Sequence, residues 1–314
     1  MVVPTWPNVQ ASAAKLNPPH LSTIILTVGG TSNGWNHAIL NHGAFCQKQL
    51  TWAFSNLAKE TSDSVVKKMM KSEYVGDWFQ ALPLKRGLNP LSANPEIEDY
   101  IFEMLEHPSY DNYWKQMGVN WMEYYPQTAD IPMIHVSGWY DNYCQTAIDN
   151  YMGLSTIKKI AGKINARALD AWHFRQIVFG RCRFRDCIHH ARLQPRLASA
   201  LVRSFPERLK NGVESDPAVK VFVMGTGDGH KDASGRLFHG GYWVTSSKWP
   251  LPGTQYINYY LHENGLLSPA MPDKNEKSVS YIYDPENRYL PSEEPWHLQS
   301  HYGLAEHTTN VKTL

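Results

Sequence analysis

At 314 residues with a net charge of +1, the chain is long enough for one large domain or two, and its charge leaves no electrostatic footprint for nucleic acid or an acidic partner. With 42% hydrophobic residues the composition is that of an ordinary globular protein, and 17 Tyr and 11 Trp suit an aromatic-lined pocket or a β-rich domain. No stretch approaches the roughly 20 apolar residues of a membrane span, and residues 1–25 lack a signal peptide's basic start and apolar core; no membrane association is expected, and the expected location is the cytoplasm.

In chain order, Met1–Pro19 carries Pro4, Pro7, Pro18 and Pro19 and reads as irregular. Leu21–Val28 reads as a buried strand. Gly30-Thr31-Ser32-Asn33-Gly34 follows it, a G-x-S-x-G pattern. A nucleophile elbow needs a strand, a strained turn and a helix entered at once, and Trp35–Leu40 offers only a short helical run. Residues 50–118 read as helical. Ser62 or Asp63 can cap a helix carrying Val65, Val66, Met69 and Met70. Asn94-Pro95-Glu96 starts another, with Pro at the first helical position and acids favouring the dipole; Ile97, Tyr100, Ile101, Met104 and Leu105 form its apolar face.

Ile131–Val136 is a short run of branched apolar residues, suited to a strand buried on both faces. Gly138 permits a turn, and Asp141 or Asn142 can cap the helix after it, whose apolar stripe is Cys144, Ala147, Ile148, Tyr151 and Met152. Asp141 therefore sits just past the carboxyl end of a strand, the edge at which open α/β sheets build their sites. Helix capping is its alternative role.

Residues 175–208 break the surrounding pattern, with Arg at 175, 181, 183, 185, 192, 196, 203 and 208. Clustered Arg is the footprint of a nucleic-acid patch, and Cys182, Cys187, His189 and His190 are metal-competent. The C-x4-C-x-H-H spacing is poor for zinc, because adjacent His side chains on a regular element diverge. Neither a metal nor a nucleic acid is expected. The four Cys, at 46, 144, 182 and 187, are too scattered for a disulfide framework. From Asp216-Pro217 onward, Val219–Met224, Tyr242–Val244, Gln255–Leu261 and Ser278–Tyr283 are strand candidates punctuated by Gly, Pro, Asn and Asp, the pattern of an all-β domain.

Several phrases together resemble one family. Gly138-Trp139-Tyr140-Asp141 after a Pro-initiated strand resembles the acid-bearing loop of the Xaa-Pro dipeptidyl-peptidase and cocaine-esterase group of serine hydrolases. Pro18-Pro19-His20-Leu21, His42-Gly43-Ala44-Phe45 (one Gly short of the family's Gly-Gly-Ala), Trp52-Ala53, and His107 to Trp114 resemble segments of the same family. Trp249 to Thr254, Tyr259-Tyr260-Leu261 and Gly265 to Ser268 resemble the opening of its C-terminal jelly roll. The resemblance covers about 13–58, 107–154 and 212–285.

That resemblance implies an α/β fold: a partial α/β-hydrolase sheet with a helical cap insertion, followed by a truncated, all-β jelly-roll-like domain. The expected division is 1–49 for the first part of the core, 50–130 for the cap, 131–211 for the second part with 160–210 anomalous, and 212–314 for the β-sandwich. It implies cleavage of ester or amide bonds of small ester or peptide substrates through an acyl-enzyme, with no cofactor. Asp141 would be the acid that orients a catalytic His. The family's His lies in a Gly-Pro-Trp-x-His phrase; here Asp170-Ala171-Trp172-His173 makes His173 the base candidate, without the Gly-Pro. The family's serine precedes the Pro-Pro-x-Leu phrase and would fall within about the first seven residues, where this chain has none, so the chain is expected to lack its nucleophile. Ser32 is the alternative nucleophile, and an inactive module that binds through its β-sandwich is the alternative function. Shifting 175–208 by one base with permitted codons yields phrases similar to those the family carries there, so this segment is expected to be out of frame.

Overall fold

The computed structural model describes residues 6–55, 63–72, 83–139, 141–160, 167–170, 178–179, 182–184, 216–231 and 237–280. The amino-terminal segment is not irregular: Trp6–Leu16 is a helix, α1. Pro7 stands in its first turn, where the missing N–H has no intrahelical partner to lose. Ala11 and Ala14 present small buried faces that let α1 lie close to the sheet.

The strand expected at Leu21–Val28 is β1, Ile24–Thr27. Leu40–Asn41 (β2) and Ala44–Phe45 (β3) form a small hairpin, and Gln47–Ser55 (α2) buries Leu50, Ala53 and Phe54. Ser64–Ser72 (α3) starts where Asp63 Oδ1 accepts the Val65 and Val66 N–H groups at 2.8 and 3.2 Å, so Asp63 is the cap. Val65, expected on the apolar face, is exposed. Pro95–Glu106 (α4) buries Ile97, Ile101, Phe102 and Met104. Asn94 makes no side-chain cap bond there; Pro95 alone presets the first turn.

Met133–Gly138 (β4) is buried at all six positions. It pairs in parallel with β1, from Ile24↔Met133 to Thr27↔Val136. Cys144–Ile157 (α5) follows, burying Ala147, Tyr151 and Leu154, while Met152 is exposed. Arg167–Asp170 (β5) pairs in parallel with β4, and further on come Val178–Phe179 (β6), Cys182–Phe184 (β7), Val219–Val223 (β8), Leu237–Gly240 (β9) and Tyr242–Ser246 (β10). The main sheet has the order β1-β4-β5-β8-β10, parallel except for β10. Thus β8 and β10, read from the sequence as opening a separate β-domain, are the far strands of the sheet that begins with β1. Strands β6, β7 and β9 form a second, three-stranded sheet.

Two apolar clusters hold these layers. Ala11 and Ala14 of α1 pack with Ile24, Leu26, Trp121, Tyr125, Met133 and Leu154. Tyr151 packs with Ala218, Val219 and Val221, joined by Trp139, Ile148 and Trp249. Fully buried Trp121 donates through Nε1 to Thr128 Oγ1 at 2.9 Å, so its polar edge is satisfied inside the core. Contacts divide the chain into units Met1–Trp249 and Pro250–Leu314. Within the second, the strand expected at Gln255–Leu261 shrinks to Tyr260–Leu261 (β11), paired antiparallel with Leu267–Ser268 (β12). Tyr256 and Ile257 are exposed, without the packed face that would hold a longer strand. Of the strand expected at 278–283, residues 278–280 are not in a strand and 281–283 lie outside the described residues.

Candidate active site

Asp141 lies in the turn between β4 and α5. Its N–H donates to Gly138 O at 3.0 Å, its Oδ1 accepts the Tyr143 N–H at 2.7 Å, and its carbonyl accepts the Cys144 N–H at 3.0 Å. The helix N-cap is Tyr143, with no side-chain cap bond, so Asp141 is not the expected cap; its side chain closes a local turn just ahead of the helix, and these bonds fix its backbone. Trp139 pins the same turn from the other side by donating through Nε1 to Phe222 O on β8 at 2.7 Å.

Burial raises the Asp141 carboxyl above its ordinary range, opposed by the Tyr143 N–H and by the charge of Lys48. Lys48 comes from α2, and its Nζ stands 4.2 Å from the centroid of the Tyr143 ring. Burial lowers its ammonium to about 8, with Asp141 and then Cys46 pulling it back up. Cys144 is pushed up to about 12, first by burial and then by Asp141. The turn thus holds one carboxylate in a poorly solvated place, with a lysine supplying the compensating charge. Such a carboxylate can orient and stabilise a cationic imidazole.

His173 lies outside the described residues, as do Cys187, His189 and His190. Of β7 only the backbone is described, so the Cys182 side chain is outside too. Among the described residues no group of three His, Cys, Asp or Glu could hold a metal ion. The strand before His173 is described. Gly138 pairs with Asp170 across parallel β4 and β5, so Asp141 and His173 each come three residues after a matched pair at the same sheet edge.

Ser32 is at the same end of β1 but has no elbow. Its exposure is 0%, and turns rather than a helix follow it. Its Oγ donates to Asp149 Oδ2 at 3.1 Å, and its carbonyl accepts the Trp121 and Met122 N–H groups at 2.8 and 3.0 Å. Asp149 also faces His37 Nε2 at 3.7 Å and accepts Gln145 Nε2 at 2.7 Å. Among the described residues the Ser32 hydroxyl meets the carboxylate and not an imidazole. Ser32 is a tether between the loop and α5.

Sequence reasoning missed Lys48, Asp149 and the buried His135. Both ring nitrogens of His135 and the Ser137 hydroxyl find no hydrogen-bond partner among the described residues. His135 borders a cavity of about 20 Å³ with Ala147, Tyr151, Val221 and Trp249 among its walls. That space fits a water molecule and is far below the several hundred Å³ of a substrate pocket. The one signal for His135 was a polar residue inside the apolar run Ile131–Val136. Lys48 gave none, because only the tertiary fold brings α2 to the Asp141 turn.

The family model described as X-Pro dipeptidyl-peptidase (S15 family) matches residues 8–172, more than half of the chain. The chain belongs to that family. A second model, the X-Pro dipeptidyl-peptidase C-terminal non-catalytic domain, matches residues 211–299. The chain is similar to the cocaine esterase of Rhodococcus sp. (strain MB1 Bresler), with 24% identity over 221 residues, 63% of this chain and 33% of that protein. Among solved structures it is similar to a CocE/NonD family hydrolase from Staphylococcus aureus, with a TM-score of 0.50 at 18% identity, covering 83% of this chain and 36% of that one. This likeness agrees with an α/β-hydrolase fold. The chain spans about a third of the length of these relatives.

Proposed function

We propose that Asp141 and His173 are the acid and base of a Ser-Asp-His triad for cleaving ester or amide bonds in small ester or peptide substrates through an acyl-enzyme. The observation that carries this reading is the register Gly138↔Asp170, which brings the chain leading to each residue to one edge of the parallel sheet. In that arrangement His173 would hold Nδ1–H toward Asp141 and present Nε2 to the serine, and the carboxylate would stabilise the imidazolium formed on proton transfer. We read α2, α3 and α4 as parts of a cap over this edge, where a roof excludes water from an acyl intermediate. Of the β-sandwich expected over 212–314, β8 and β10 pair in the main sheet, and we read the part from Pro250 on as jelly-roll-like, in line with the match over 211–299.

We read the attacking serine as one other than Ser32, a reading supported by its burial and its bond to a carboxylate. The 314-residue polypeptide on its own should therefore give no sustained turnover of a chromogenic aryl ester. Turnover that vanishes in Ser32→Ala would overturn that statement. The acid–base pair has its own test, needing no nucleophile. Nitrogen-15 NMR should find the His173 ring as the Nδ1–H tautomer with a low-field proton that disappears in Asp141→Asn. A ring indifferent to Asp141→Asn would remove His173 from the site.

A further inference from the structure

Burial lowers the ammonium groups of Lys15 and Lys48 alike to about 8, yet the two are held in different ways. Lys15 is sealed in the core and donates to Met117 O. Lys48 is half-buried, and among the described residues its Nζ has no hydrogen-bond acceptor. It lies over the Tyr143 ring, 4.2 Å from the centroid, at the Asp141 turn. The geometry, rather than the shared shift, sets Lys48 apart: its amine is unengaged and partly open.

Its surroundings favour reaction at nitrogen. Lys48 is the second residue of α2, where the positive end of the helix dipole opposes an ammonium and no acid in the first turn offsets it. The Asp141 charge and then Cys46 act in the other direction. Burial raises the thiols of Cys46 and Cys144, so both stay protonated at neutral pH and neither competes as a nucleophile. Charge balance then selects the electrophile. Acylation would turn Lys48 into a neutral amide and strip the poorly solvated Asp141 carboxylate of its compensating charge. A Schiff base keeps a positive nitrogen over the Tyr143 ring, and an aromatic aldehyde adds a ring that can stack there.

We propose that Lys48 is a Schiff-base lysine that captures small aromatic aldehydes at the Asp141 turn. The free amine adds to the carbonyl carbon, the C–N bond forms, and the nitrogen passes a proton to the oxygen. The carbinolamine takes one proton from solvent and its C–O bond breaks. Water leaves as the nitrogen lone pair forms the C=N bond of the iminium, with no change of oxidation state. Lysines with lowered ammonium groups are suited to this chemistry. The site uses Asp141 as a negative charge, not as a triad acid, and involves neither His173 nor ester cleavage. The two readings can therefore fail separately.

The test is incubation of the full chain with benzaldehyde and cyanoborohydride at pH 7, followed by peptide mapping by mass spectrometry. The borohydride delivers hydride to the iminium carbon and fixes the adduct as a secondary amine. An ammonium at about 8 leaves about 10²-fold more free amine at pH 7 than one at 10.5. Lys48 should be labelled about 10-fold or more faster than exposed Lys67 and Lys68, and sealed Lys15 should lag behind it. Lys48→Arg, which keeps a cation over Tyr143, should remove the fast-labelled peptide and leave the slow ones unchanged. The comparison among lysines is made within the unaltered chain, so it stands whatever the variant does to folding. No adduct at Lys48, a Lys48 rate no higher than that of Lys67 and Lys68, or a Lys15 rate equal to it would each overturn the proposal.

Discussion

The side chains of Lys15 and His135 show how burial alone sets acid–base behaviour in this fold. Lys15 is only 3% exposed at the end of α1, donating to Met117 O, with its Nζ 5.9 and 5.8 Å from the ring centroids of Trp121 and Tyr124. Burial lowers its ammonium from 10.5 to about 8. Between those values the unfolded chain binds the proton that the folded chain has released, so stability should rise with pH from about 8 to 10.5. Denaturant titrations across that window should show the rise, and Lys15→Met should flatten it. His135 behaves in the same sense at lower pH. Burial takes its imidazole from 6.5 to about 3, so acidification through that interval protonates the unfolded chain first and removes stability. In His135→Leu the loss over this interval should shrink. At pH 7 the variant should also be more stable by about 1 kcal/mol, because two buried ring nitrogens with no partner among the described residues are gone. A variant as acid-labile as the parent would contradict the burial argument.

Among the elements, those whose pattern is local were legible and those fixed by distant contacts were not. β4, α4 and α5 follow from apolar runs and periodicity, with edges moved by about two residues as expected of such readings. α1 was missed because four prolines outweighed a short run of alanines, although Pro7 falls where a helix tolerates it. The candidate acid was readable because the Gly138–Asp141 phrase is local. The Ser32–Asp149–His37 tether joins residues more than a hundred positions apart and left no sequence trace. Gly153 in α5 offers a sharp test of element packing. A Cβ there would lie 2.1 Å from Tyr125 Cε2, and the Tyr125 hydroxyl donates to Asn150 Oδ1 at 2.8 Å. In an open helix Gly→Ala gains about 1 kcal/mol. Here the methyl must displace a buried ring, so Gly153→Ala should destabilise by about 1–3 kcal/mol in denaturant titration.

At the scale of the first unit, the question is which strands share a core. The texture of the sequence changes at Asp216-Pro217, and a break in texture reads as a domain boundary because strand-rich segments usually pair with one another. The structure instead puts β8 beside β5, in the sheet that carries β4 and the Asp141 turn. Sequence cannot choose between these pairings: Val219–Val223 would satisfy its backbone ladder against either neighbour, and its apolar residues fit either core. The buried contacts decide. Phe222 is fully buried, meets the Trp243 ring at 5.2 Å, and gives its carbonyl to Trp139 Nε1. Truncation to Phe222→Ala therefore opens the core beneath β8 and should destabilise this unit by about 3–5 kcal/mol. Because β8 lies two strands from β4 in the same sheet, the Ile134 and Val136 amides should exchange faster with deuterium in the variant, and the Asp141 turn should loosen with them. If β8 belonged to a separate C-terminal core, the same truncation would leave exchange at Ile134 and Val136 unchanged, and that outcome would remove β8 from the support of the candidate active site.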